Sequence, residues 1–120
     1  MTVNAQGIVG VLFYDFRNDV PGDGPLSTDV WLSLFDADLN YIKEHRLTTQ
    51  SFDMRQMVIT GARGYFPGDY MGLSSTGSDF VAAFTTADNL NLAVEFPQDN
   101  NGLFLDNRDR QSIVFNRKQP

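Results

Sequence analysis

Turn-forming residues dominate this sequence: Asp, Asn, Gly and Pro account for 37 of its 120 residues, with short apolar runs between them. Gly accepts positive φ, Pro fixes φ, and Asp or Asn side chains bond to their own backbone, so each such cluster favours a reversal of the chain. Straight-chain helix formers are scarce, with only two Glu and two Lys. Ten of the 15 aromatic residues are Phe, which suits half-buried strands. Many short strands joined by rich turns are expected, and the chain reads as all-β.

The apolar runs locate those strands. Ile8 to Phe16 is apolar almost throughout and reads as a central strand. Asn18 to Ser27 holds two Pro and two Gly and reads as a loop. Across Asp29 to Phe35, Val30, Leu32 and Leu34 fall on one face and Trp31, Ser33 and Phe35 on the other, as in a sheet covered on both sides. Asp36 to Asn40 is a turn, and Tyr41 to Thr48 a more polar strand suited to a sheet edge. Gln50 to Gly64 is the least regular stretch and admits a short helical turn. Tyr70 to Ser74 and Phe80 to Thr85 flank Ser75-Thr76-Gly77-Ser78, a hairpin signal. Leu90 to Asp109 is turn-rich, and Ser112 to Asn116 forms the last strand before a basic tail.

Composition narrows the function. A net charge of −6 argues against a nucleic-acid partner, whose phosphates need a basic face. The hydrophobic fraction of 42% is enough for a packed core. No stretch approaches the roughly 20 apolar residues of a membrane-spanning helix, so no membrane partner is expected. Cysteine is absent, which removes disulfides and thiolate chemistry. Met1 to Ala5 shows no basic region followed by an apolar run, so no secretory signal is expected there, and the compartment stays open.

Two segments are alike. Gly7 to Asp15 leads through a loop into Thr28 to Ser33, and Gly77 to Thr85 leads through a longer loop into Arg110 to Asn116. Repetition of multi-stranded units is the mark of a β-propeller. Val11-Leu12-Phe13-Tyr14-Asp15-Phe16-Arg17-Asn18-Asp19, Thr28-Asp29-Val30-Trp31-Leu32 and Gly68-Asp69-Tyr70-Met71-Gly72-Leu73 resemble the C-terminal blades of sialidase-like propellers, the BNR or Asp-box repeat proteins. Arg110 to Arg117 looks like the closing strand of such chains. The resemblance implies about two blades of antiparallel strands in residues 1–120. The first lies at about 2–49, the second at about 64–117, and 50–63 connects them.

The resemblance also implies roles. The family's Asp box, Ser-x-Asp-x-Gly-x-Thr-Trp, aligns with Leu34 to Tyr41, where only Asp36 and the closing aromatic Tyr41 keep their type. Asp36 would accept backbone N–H bonds in the turn, and Tyr41 would pin the turn to the sheet. An EF-hand-like calcium loop starting at Asp36 fails, because the required Gly is Tyr41 and the twelfth position is Leu47. Sialidases hold a substrate carboxylate with three arginines and use a Tyr nucleophile assisted by Glu. By this resemblance Tyr70 corresponds to the nucleophile, with a packed tyrosine whose hydroxyl is satisfied as the alternative. Arg17 corresponds to a carboxylate-binding arginine at a blade end, with a salt bridge to Asp15 or Asp19 as the competing role. Asp69 would be a substrate contact beside Tyr70, although adjacent strand residues face opposite sides. The family's Arg-Ile-Pro element is absent, and neither Glu44 nor Glu95 lies in a partner motif.

Other chemistries find less. His45, the only histidine, is expected to face solvent, and no Gly-x-Ser-x-Gly elbow is present. Gly22-Asp23-Gly24-Pro25 lacks the basic residue and helix of a phosphate loop. Asp15, Asp19, Asp23 and Asp29 offer oxygens for Ca²⁺, with solvated turn residues as the alternative; no other metal or cofactor is expected. The resemblance implies a fragment or shortened relative of a sialidase-superfamily glycoside hydrolase, inactive alone. The alternative is a non-catalytic glycan- or protein-binding module that closes a propeller ring as a homo-oligomer. The family is often secreted.

Overall fold

The computed structural model describes residues 1–57, 59–60, 64–65, 67, 71–87 and 111–118; for 59, 60, 64 and 111–118 only the backbone is described. It is all-β, with antiparallel sheets. β1 (Thr2–Val3), β2 (Val9–Asp15), β3 (Ser27–Phe35) and β4 (Tyr41–Arg46) form a meander in chain order. β5 (Phe52–Asp53) pairs with the start of β3. A 3-10 turn at Met54–Gln56 follows, capped by the Asp53 side chain, which accepts from the Arg55 N–H. β6 (Ile59–Thr60) and β7 (Gly64–Tyr65) make a short ladder. β8 (Gly72–Thr76), β9 (Asp79–Ala87) and β10 (Gln111–Lys118) form a second meander with β9 in the middle.

The two like segments occupy like positions. Each supplies the second and third strands of its sheet, β2 with β3 and β9 with β10. β1 is too short to show a period in the sequence, and only its pairing with β2 reveals it. The hairpin signal at Gly77 resolves into a two-residue turn from Thr76 to Asp79, with Gly77 at φ +61°, the positive value such a turn requires.

The core lies between the two sheets. Alternation along β3 sends Val30, Leu32 and Leu34 to one face, where all three are buried with Phe80, Ala82 and Phe84 of β9. Phe52, Met54 and Met57 close the same cluster. Gly10 is needed at the centre, because a Cβ there would stand 2.7 Å from the Phe80 ring. Polar bonds tie the sheets together as well. The Tyr14 hydroxyl donates to the Thr85 carbonyl at 2.8 Å and accepts from the Thr85 N–H at 3.2 Å, on a length of β9 that extends past the end of β8. Buried Asn4 accepts from the Gln6 and Ile8 N–H groups and donates to the Ser78 carbonyl, fixing the β1–β2 turn on the β8–β9 turn.

Candidate functional site

The opposite face of β3 carries the charged side chains. Strand alternation and register put Phe13 and Asp15 of β2, Asp29, Trp31 and Ser33 of β3, and Glu44 and Arg46 of β4 on it together. Arg17, two residues past the end of β2, folds back over this face. Its guanidinium lies 4.2 Å from the centre of the Trp31 ring and 5.9 Å from that of Phe13. Nε and Nη2 donate to Asp15 Oδ2 at 2.8 and 2.6 Å, and Nη1 donates to Glu44 Oε1. The second Glu44 oxygen accepts from the Ser33 hydroxyl at 2.6 Å. Hydrogen bonding to Arg17 holds the Asp15 carboxyl below the usual range, and the bonds to Asp15 and then Glu44 hold the Arg17 guanidinium above its own.

Asp29 is the hub of the adjoining network and is fully buried. It accepts from Arg46 Nε (2.9 Å) and Nη2 (2.7 Å), Thr48 Oγ1 (2.6 Å), Asn18 Nδ2 (2.7 Å) and Ser51 Oγ (2.9 Å). Burial would push its carboxyl up, but the hydrogen bonds from Thr48, Asn18, Arg46 and Ser51 together outweigh it and leave the group below the ordinary carboxylate value. Three carboxylates (Asp15, Asp29, Glu44) thus face two guanidiniums (Arg17, Arg46), so the cluster carries an excess negative charge.

Of the two roles considered for Arg17, the structure displays the ion pair: Asp15 is one partner, while Asp19 instead accepts from the Ser27 N–H at 2.8 Å. Asp69 and Tyr70 lie outside the described residues, as does Glu95. Asp36 accepts from the N–H groups of Asp38 (2.9 Å) and Asn40 (2.8 Å) and from Asn40 Nδ2 (2.9 Å). The Asn40 side chain is the main reason its carboxyl sits low. Tyr41 meets Phe35 edge to face at 6.0 Å yet is 62% exposed. His45 departs from the expected solvent-facing position: it is half-buried, opposite Leu32, with Nε2 shielded from solvent.

The acidic residues considered for Ca²⁺ do not form one group. Asp15 is bound to Arg17, Asp19 to the Ser27 backbone, and Asp29 to its five donors. Among the described residues no set of three or more acidic or histidine side chains converges as a metal site would require.

Sequence reasoning missed Asp29 as a hub and Glu44 as a partner of Arg17. A signal existed for the first: an Asp flanked by Thr28 and Val30 in a strand covered on both faces needs buried donors. Searches against protein-family models, curated proteins and solved structures find no match to the chain.

Proposed function

We propose that the chain is a non-catalytic, glycan-binding module of the sialidase-like propeller type that takes neutral rather than acidic sugars. The carrying observation is the state of Arg17: Asp15 and Glu44 already occupy its guanidinium, and Trp31 lies beneath it. An arginine that clamps a sugar carboxylate must present its fork with net positive charge. Here an incoming carboxylate meets three fixed ones. Neutral sugar rings carry no such penalty, and exposed Tyr41 and Phe16 offer aromatic surface.

Two further features support the propeller type. β1 to β4 run as a four-stranded meander, the form of a blade, and β8 to β10 repeat its order against the same core. Propellers close with about four to eight blades, so about two blades here call for further blades, from copies of the chain or from a longer protein.

A glycan array combined with a fluorogenic sialoside assay tests this function. The expected outcome is binding to neutral glycans with no sialoside turnover at high protein concentration. Turnover that disappears in Tyr70→Phe would establish a hydrolase instead, and selective binding to sialylated glycans would overturn the neutral preference.

A further inference from the structure

We propose that β4 is a self-pairing edge, on which a second copy of the chain docks strand to strand about a two-fold axis centred on His45. β4 ends its sheet, and among the described residues no strand pairs with its outer side. Tyr41 and Ile42 are exposed on it. The Leu47 N–H donates to the Val30 carbonyl at 2.8 Å, which sets the alternation of the ladder. His45 opposite Leu32 and Lys43 opposite Leu34 therefore turn their main-chain groups toward β3. Glu44 and Arg46 turn theirs outward, ready for another strand.

Symmetry and charge then select the register. An antiparallel pair of identical strands keeps its two sheet faces only if the axis passes through a residue facing itself. Centring on Glu44 sets two carboxylates directly opposite each other, and centring on Lys43 does the same with two ammonium groups while drawing in the irregularity between Lys43 and Tyr41. Centring on His45 places Glu44 of each copy opposite Arg46 of the other, twice over. These are the residues with outward N–H and C=O groups, so the same register closes four backbone hydrogen bonds. Arg46 uses Nε and Nη2 on Asp29 and Ser51, and among the described residues Nη1 makes no hydrogen bond. Charged edges normally prevent strand addition. Of these three centrings, only the one on His45 brings opposite charges face to face.

The pairing does not depend on the propeller type or on glycan binding. Its test uses the lack of any cysteine in the chain. In the His45-centred register the two His45 Cα atoms form a non-hydrogen-bonded pair about 4.5 Å apart, within disulfide reach. The two Lys43 positions are then offset by four residues, roughly 13 Å along the strand. Sedimentation of the full chain should give twice the monomer mass. Under mild oxidation His45→Cys should become a covalent dimer, and Lys43→Cys should not. A monomer up to millimolar concentration overturns the pairing. So does Lys43→Cys cross-linking as readily as His45→Cys. A larger ring in which His45→Cys stays uncross-linked also overturns it, while leaving the proposed propeller standing.

Discussion

The two faces of β3 are held by different physics. Toward β9, Val30, Leu32 and Leu34 meet Phe80, Ala82 and Phe84, and contact and water exclusion stabilise the arrangement. Toward the other side, Asp29 and Trp31 sit under guanidiniums, held by hydrogen bonds whose strength depends on protonation. The apolar face tolerates any neighbour of the right shape. The polar face works only as a set, because a donor removed from buried Asp29 leaves an expensive charge behind. In the proposed function, the same saturation is what keeps Arg17 from clamping an anion.

The largest effect should come from the apolar face. Leu32→Ala is expected to cost about 4 kcal/mol, the upper part of the range for a buried leucine in a site with little room to collapse. Urea unfolding measures it, and a loss under about 1 kcal/mol would mean that the two sheets do not share a core.

Next comes Asp29→Ala, expected to cost roughly 3 kcal/mol, less than a fully buried pair would suggest because Arg46 is partly exposed. Its pH signature separates it from Leu32→Ala. The Asp29 carboxyl is lower in the folded state than in the unfolded chain, where it titrates near about 3.9. Its contribution is therefore complete above that value and is lost as pH falls through the lower, folded value. Stability of the parent should decline more steeply below about pH 4 than that of Asp29→Ala. Parallel curves would exclude Asp29 as a charged hub.

Tyr14→Phe tests the bond between the sheets. The lost hydroxyl leaves the Thr85 N–H and carbonyl without their partner, for about 1–2 kcal/mol. Burial raises the Tyr14 phenol, offset in part by its bond to Thr85, so the parent should keep this hydroxyl protonated to higher pH than a free tyrosine. Ultraviolet titration of the parent against Tyr14→Phe reads this directly.

Arg17→Ala should have the smallest effect on stability and a clear optical one. Trp31 is the only tryptophan, and the guanidinium covers its ring. Its emission should shift to the red and its quenching by iodide should rise. An unchanged spectrum would show that Arg17 does not cover the indole in solution.

Alternation made much of this legible beforehand. The segregation of Val30, Leu32 and Leu34 from Trp31, Ser33 and Phe35 needs only the two-residue period of a strand, and the Asp36 turn needs only an Asx side chain beside a tight reversal. The polar Tyr41–Thr48 stretch pointed to the edge position that β4 occupies among the described residues. His45 misled, because a polar stretch does not reveal which side chains turn inward.

Local order along the chain thus sufficed for β2, β3 and β4, the turns between them and the apolar face of β3, since each depends on neighbours a few residues apart. The two-residue strands β1, β5, β6 and β7 show only through their pairing. Partners far along the chain were decided by the fold alone. Arg17 finds Glu44, Asn18 and Ser51 both reach Asp29, and Tyr14 bonds to Thr85 only after the sheets have formed and packed. A carboxylate in the sequence gives no sign of which donor will meet it. That depends on strand register, and register on the whole sheet.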